Sequence, residues 1–299
     1  MTKTKHRFNE TKFQVGSSSK LNLAKRSTSA GKELKGKADG YERLAEDVGA
    51  LKEAQQVLYA SGTHSLLIIF QGMDAAGKDS TIRHVMGAIN PQGCRVYSFK
   101  APNDTELAHH FLWRPVPCLP ERGMISIFNR SYYEETLVVR VHPQFLLPQR
   151  LPGVDIEKPK SLERLWKRRF QEINSFEQTL ALNGTMVLKF YLHVSRDEQK
   201  ERFLERLTNP EKHWKFNARD LAERALWREY RKAFEETLTA TSTKYAPWYV
   251  IPADNKWYMR AAIADIIAAK LESLDLQYPE VDGEEQSRFA ELEAKLRRE

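Results

Sequence analysis

Leu66-Leu67-Ile68-Ile69-Phe70-Gln71-Gly72-Met73-Asp74-Ala75-Ala76-Gly77-Lys78-Asp79-Ser80 decides how this chain is organised. The run Leu66 to Phe70 has the length and β-branched content of a buried strand. Gly72, Gly77 and Lys78 then supply the G-x-x-x-x-G-K frame of a phosphate-binding loop. Glycines let successive backbone N–H groups converge on phosphate oxygens with no Cβ in the way. A helix after the loop aims its partly positive N-terminus at the same point. Ile82, Val85, Met86 and Ile89 supply that helix with an apolar face. Ser or Thr normally follows the lysine; here it is Asp79, and Asp74 lies inside the loop. Two carboxylates would repel a bare polyanion, so they imply Mg²⁺ between protein and phosphate.

Working outward, 299 residues with 41% hydrophobic and 29% charged content describe an ordinary globular protein. No apolar run approaches the 18 residues of a membrane span, and the first 20 residues are too polar for a signal-peptide core. Cys94 and Cys118 show neither metal spacing nor a disulfide framework, so a reduced, cytoplasmic setting is expected. The whole net charge of +7 lies in residues 1–40, which hold eight Lys, two Arg and three acids. That segment reads as a flexible basic tail or a loosely docked arm.

An amphipathic helix is expected from Tyr41 to about Tyr59, followed by the first strand and the phosphate loop. Further strands are expected at Arg95–Lys100, Met124–Phe128, Met186–Val194 and Trp248–Ile251. Helices are expected at Lys78–Ile89, Thr105–Trp113, Ser161–Leu182, after Ser195, at Asp220–Ala240 and at Trp257–Leu274. The proline-bearing stretch 141–160 reads as a long ordered loop, and residues 276–299 as a charged amphipathic helix. Strands alternating with helices give an α/β fold with a parallel sheet covered on both faces. The main domain is expected over 41–275, with a lid at about 205–230. Ligands bind such sheets at the carboxyl ends of the strands, and each candidate site follows a strand.

The third strand ends at Asn129-Arg130, where phosphate-loop enzymes commonly carry a metal-binding or water-positioning carboxylate. Asn129 is neutral, which shifts metal binding to Asp74, with Asp79 as the second candidate. Arg130 can clamp a phosphate through two donors, and Glu134, four residues on, can pair with it on a helix. Arg202 and Arg206 stand at i and i+4, followed by Lys212, His213 and Lys215. These are the cations a mobile lid would bring over a migrating phosphoryl group. His109-His110 point about 100° apart on a helix and make a poor metal pair. Trp248, Trp257 and Tyr258 read as core or rim.

Gly72-Met73-Asp74-Ala75-Ala76-Gly77-Lys78-Asp79 resembles the phosphate loop of the second polyphosphate kinase family. So do Phe128-Asn129-Arg130-Ser131-Tyr132-Tyr133-Glu134, Val138-Val139-Arg140-Val141-His142-Pro143, Pro210-Glu211-Lys212-His213-Trp214-Lys215-Phe216, and the stretch from Ala246 to Trp257. The likeness covers about 41–272, and the first 40 residues match poorly. It implies a thymidylate-kinase-like P-loop fold with a five-stranded parallel sheet and a helical lid. It also implies Mg²⁺-dependent, reversible phosphoryl transfer between inorganic polyphosphate and AMP, ADP or ATP, and a homo-oligomer, often a tetramer. Asn129, Glu134 and the Val-Val-Arg-Val-His-Pro segment resemble the subclass that accepts both AMP and ADP. Catalytic roles then fall to Asp74, Lys78, Arg130, Arg202 and Arg206. Phosphate binding falls to Gly72, Ala75, Ala76, Gly77, Lys78, Asp79 and Ser80, with Lys212, Lys215 and the Lys167 to Arg169 cluster along a polyphosphate channel. The nucleotide side falls to Lys100, Asn103, Asp104, Asn129, Arg130, Tyr133 and Glu134. An ATP-dependent nucleoside monophosphate kinase on the same fold is the nearer alternative. A non-catalytic polyanion or nucleic-acid binder is the other, and a formally neutral remainder beyond residue 40 argues against it.

Overall fold

The strands Ser65–Gly72 (β1), Cys94–Ser98 (β2), Ile125–Asn129 (β3), Thr185–His193 (β4) and Trp248–Pro252 (β5) form one sheet in the order β2-β3-β1-β4-β5. Every pairing is parallel. The computed structural model describes residues 6–16 and 20–299. β1, β3 and β5 are buried almost throughout, as expected of strands covered on both faces. The helices are α1 (Lys37–Ser61), α2 (Lys78–Met86), α3 (Asp104–Leu107), α4 (Val138–Val141), α5 (Pro159–Leu182), α6 (Arg196–Thr208), α7 (Arg219–Ala225), α8 (Trp227–Thr241), α9 (Lys256–Glu272) and α10 (Gly283–Leu296). α1 and α2 pack with α9 as one layer. Lys189 and Tyr191, two residues apart on β4 and so on one face of it, meet Glu177 of α5 and the Phe234 ring of α8.

Three expectations need correction. The helix read from Thr105 to Trp113 is only the single turn α3, because the apolar residues after Leu107 turn back through a Pro-containing segment ending at Val116–Cys118. The helix read over 220–240 is broken at Leu226 into α7 and α8. The tail is not a free arm over its described part, although residues 1–5 and 17–19 lie outside the described residues. Phe8, Phe13, Val15, Leu21, Leu23 and Leu34 are buried in the main core. Val15 N–H donates to the Trp248 carbonyl at 2.9 Å and Val250 N–H to the Phe13 carbonyl at 2.8 Å. The segment thus covers the open edge at β5, where unpaired backbone groups would otherwise face water. Its apolar residues follow neither helical nor strand spacing, which is why the sequence pattern does not mark it as structured.

Beneath the sheet's carboxyl end lies a buried ion pair. Lys189 Nζ, fully buried, donates to Glu177 Oε2 at 2.5 Å, to the Thr241 carbonyl at 2.7 Å and to Tyr133 Oη at 2.9 Å. The Tyr132 and Tyr133 hydroxyls both donate to Glu177 Oε1, at 2.8 and 2.7 Å. Burial and the Glu177 charge hold both phenols protonated, their pKa values well above the ordinary one. Lys189→Met leaves Glu177 as an uncompensated buried charge and is expected to cost roughly 3–5 kcal/mol in denaturant unfolding. Combining it with Glu177→Leu recovers much of that loss. A single-variant cost below about 1 kcal/mol would contradict this reading.

Candidate active site

The phosphate loop joins β1 to α2 at the centre of the carboxyl edge. At Gly72 an added Cβ would lie 3.0 Å from the Leu192 carbonyl oxygen and 3.1 Å from Ala76 Cβ, so this close approach requires glycine. Ala75 and Gly77 adopt left-handed φ of 59° and 106°. For Ala75 that conformation costs energy and persists only where its surroundings impose it. Arg202 imposes it. Its Nη1 donates to the carbonyls of Ala75 and Ala76, both at 2.9 Å. Its Nη2 donates to those of Ala253 and Asp254 at 2.5 and 3.2 Å, and its Nε to Glu198 at 2.8 Å. All five donors of a guanidinium are thereby used. The expectation that Arg202 stabilises the migrating group is therefore revised to a role in shaping the loop.

Lys78 folds back across the loop, its Nζ donating to the carbonyls of Gly72 at 2.8 Å and Met73 at 3.3 Å. Only 7% of it is exposed. Burial, then the like charge of Arg130, bring its pKa down to about 8, while Asp74, Glu134 and Asp79 oppose that shift. Ser80 at the first turn of α2 donates to the Gly77 carbonyl at 3.1 Å.

The carboxylates flanking the loop each have a partner on the β3 end. Asn129 Nδ2 donates to Asp79 Oδ1 at 2.7 Å. Arg130 Nη2 donates to Asp74 Oδ1 at 3.0 Å. Arg130 holds a left-handed φ of 61°, fixed by its N–H on the Phe70 carbonyl at 3.1 Å. Among the described residues no three His, Cys, Asp or Glu side chains gather into a metal cage. Asp74 and Asp79, each bonded to a residue at the β3 end, carry the hard carboxylate oxygens that Mg²⁺ prefers. Mg²⁺ is typically held that way, by one or two carboxylates with phosphate and water completing its shell.

Beside Arg130 opens a cavity of about 310 Å³. Its walls are mainly apolar, with Phe99, Phe111, Pro102, Val138 and Val139 among them, and Lys100, Glu106, Arg114 and Glu134 supply polar groups. An apolar cleft with a few placed polar groups, ending at a cation beside the phosphate loop, suits a nucleotide. Glu134 faces it from a short 3₁₀ turn, Tyr132–Thr136, not from an α-helix. Burial raises its pKa against the pull of Arg130 and Lys78. The ion pair of Arg130 is with Asp74, not with Glu134 as the spacing suggests.

Several sequence candidates have other duties. Tyr133 is fully buried in the Glu177–Lys189 network and is not among the residues lining the cavity. Asn103 caps α3 in a capping box with Glu106, which places Asp104 in the first turn of that helix. Lys100 does line the cavity. Arg206 donates to Asp220 and to the Lys215 carbonyl, both at 3.2 Å, joining α6 to α7. Lys212 pairs with Glu205, and Lys215 lies 4.9 Å over the Trp214 ring, which is 78% exposed. Arg169 is buried against Glu135 and Gln149, so that part of the basic cluster lines no open channel, while Lys167 is paired with Glu163 at the surface. Trp248 and Tyr258 are core, as read from sequence. Sequence reasoning missed Phe99, Phe111, Arg114, Gln199 and Arg224. They sit in segments without periodicity or on polar helix faces, where only the tertiary arrangement gives them a role.

A strand, a phosphate loop and a helix at the centre of a five-stranded parallel sheet, with arginine-bearing helices folded over the loop, define a kinase of the P-loop kind. Residues 35–279 match the model of a family described as polyphosphate kinase 2 (PPK2). An ADP-polyphosphate phosphotransferase of Rhodopseudomonas palustris is 47% identical over 285 residues, 95% of this chain and 97% of that protein. An AMP/ADP-polyphosphate phosphotransferase of Meiothermus ruber is 46% identical over 245 residues, 82% of this chain and 86% of that one. The crystal structure of polyphosphate kinase 2 from Arthrobacter aurescens TC1 superposes with a TM-score of 0.85 at 37% identity, covering 96% of this chain and 99% of that one. The chain belongs to the polyphosphate kinase 2 family. The family model begins at residue 35, while the Rhodopseudomonas alignment takes in 95% of the chain.

The lysine sets a pH limit. Below about 8 Lys78 carries the charge a polyanion needs; above that value the free protein loses it. The affinity for pyrophosphate is expected to be level up to about pH 8 and then to fall with unit slope. A bound phosphate favours charged Lys78, so the limb moves upward in the complex. Calorimetric titration between pH 6.5 and 9.5 checks this, and a level profile to pH 9.5 would contradict it.

Proposed function

We propose that this protein transfers the terminal phosphoryl group of inorganic polyphosphate to AMP and to ADP, giving ADP and ATP. The observation that carries this reading is the pairing of Asp74 with Arg130 and Asp79 with Asn129 across a phosphate loop that opens beside an apolar nucleotide-sized cavity. The names of the Rhodopseudomonas and Meiothermus relatives support the donor and both acceptors. Among the described residues no helix is long and apolar enough to cross a membrane.

The nucleotide lies with its base between the apolar walls at Phe99, Phe111 and Val138 and its phosphate toward Arg130. A phosphate oxygen of the acceptor attacks the terminal phosphorus of the chain. The bridging P–O bond breaks, and the polyphosphate leaves one unit shorter. The attacking oxygen is already ionised at neutral pH, so the residues need not remove a proton. Their work is alignment and charge neutralisation. Lys78 turns from the loop carbonyls to the phosphates, and the loop N–H groups and the α2 N-terminus receive their oxygens. Arg130 exchanges Asp74 for the acceptor phosphate. Asp74 and Asp79 would hold Mg²⁺, which when bound supplies charge neutralisation between the two phosphate groups. Arg206 reaches the transferring group from the lid if its pairing with Asp220 opens.

Incubating the protein with Mg²⁺, long-chain polyphosphate and AMP, without ATP, should yield ADP and then ATP. Transfer only from ATP would replace the donor assignment by the ordinary nucleotide-kinase reading. Lys78→Ala should keep the fold by circular dichroism and lose transfer by at least roughly 10²–10³-fold, the scale for removing one preorganised charge-stabilising donor. Glu134→Ala should shift the AMP to ADP turnover ratio by about fivefold or more, the effect of one misplaced polar group near 1 kcal/mol. An unchanged ratio would remove Glu134 from acceptor choice.

A further inference from the structure

Val138 and Val139 of the Val-Val-Arg-Val-His-Pro segment line the cavity beside Arg130. The segment is fastened to α8 and to α7. Arg140 pairs with Glu236 of α8. His142 Nε2 donates to Glu223 Oε2 of α7 at 2.8 Å. The other ring nitrogen, Nδ1, lies 3.5 Å from Gln144 Nε2. Glu223 Oε2 also accepts from the Tyr230 hydroxyl at 2.6 Å. Burial and the Glu223 carboxylate keep that phenol protonated.

The next residue of α7 bonds to α6 instead. Arg224 Nη1 donates to Gln199 Oε1 at 2.8 Å and to the Arg196 carbonyl at 2.7 Å. The Gln199 amide nitrogen in turn donates to the backbone carbonyl of Asp74, within the phosphate loop, at 2.8 Å. Gln199 is buried, so its amide depends on these protein partners. Two hydrogen-bonded links therefore meet at adjacent residues of α7: His142 to Glu223 on the side of the cavity wall, and Arg224 through Gln199 to the Asp74 carbonyl of the loop.

We propose that α7 is a positioning strap in which Glu223 and Arg224 couple occupation of the nucleotide cavity to the conformation of the phosphate loop, so that the loop is set for the donor only when an acceptor is bound. The inference rests on the proposed function for its meaning, but not on the identity of the donor. A nucleotide that presses on Val138 and Val139 displaces the short α4, and with it His142. Two adjacent residues on α7 pass that displacement to the Asp74 carbonyl because one bonds to His142 and the other to Gln199. Water in the acceptor's place makes no such demand, and an enzyme whose donor loop is set only with acceptor present avoids transferring its phosphoryl group to water. Spatial continuity alone does not establish coupling, so the test measures coupling itself.

Hydrogen exchange followed by mass spectrometry is recorded on the full chain with and without AMP, in the absence of any phosphoryl donor. In the wild-type protein AMP is expected to slow exchange both in residues 138–142 and in residues 73–77, the latter by roughly fivefold or more, the lower end of ordinary coupling energies. In Glu223→Ala, and separately in Arg224→Ala, AMP still slows exchange at 138–142 but leaves 73–77 unchanged. Having two variants guards against one that disturbs folding. The inference is overturned if AMP protects the loop equally in both variants, or if it leaves the wild-type loop unchanged. Donor identity is decided separately by the transfer reaction with polyphosphate or ATP.

Discussion

The carboxyl edge of this sheet depends on one guanidinium. Arg202 reaches from α6 beneath the phosphate loop and joins it to the end of β5, with every N–H engaged by a carbonyl or by Glu198. A planar five-donor fork can hold backbone carbonyls from two segments at once, which a lysine cannot. Its hydrogen bonds to the carbonyls of Ala75 and Ala76 hold Ala75 in a left-handed conformation. Burying a charge this way costs solvation, and only full hydrogen bonding offsets it. The same condition governs the Lys189–Glu177 pair below, which anchors β4, α5 and α8 behind the site.

Charge around the loop is balanced before any ligand arrives. Lys78 lies on loop carbonyls, Arg130 on Asp74, and Asn129 on Asp79. In the proposed reaction each pairing stands where a phosphate or a cation would go. Ligand binding is therefore an exchange of partners, not the creation of a charged pocket, and the cost of holding two carboxylates beside a polyanion site is met internally until that exchange. The neutral Asn129 matters here. A carboxylate in its place would face Asp79 at hydrogen-bond distance and repel it.

Much of this was legible in the sequence. The frame from Gly72 to Asp79 and the alternation of apolar runs with helical faces specify the strand, loop and helix at the centre, and all five strands lie within a few residues of their expected places. Local pattern suffices there because buried parallel strands are continuous apolar runs. It fails where a residue's role depends on a distant partner. Arg202 and Arg206 look equivalent at i and i+4, yet one is buried under the loop and the other bonds α7. Tyr133 stands next to Glu134 in a motif, but the 3₁₀ turn sends its side chain into the core. The N-terminal segment binds the β5 edge through backbone groups and irregularly spaced apolar residues, which leave no periodic signal. The nucleotide cavity is assembled from loops after β2 and β3 and is invisible to any windowed reading.

The most direct test of this account is the rate of phosphoryl transfer in Arg202→Ala, measured beside its thermal unfolding and beside Arg202→Lys. The account predicts a cooperatively folded protein that transfers at least roughly 10²-fold more slowly, the scale for disordering preorganised donors, with only partial recovery in the lysine variant. Turnover within about twofold of wild type in folded Arg202→Ala, well inside 1 kcal/mol, would contradict it. That result would show that the loop holds its shape without the guanidinium beneath it.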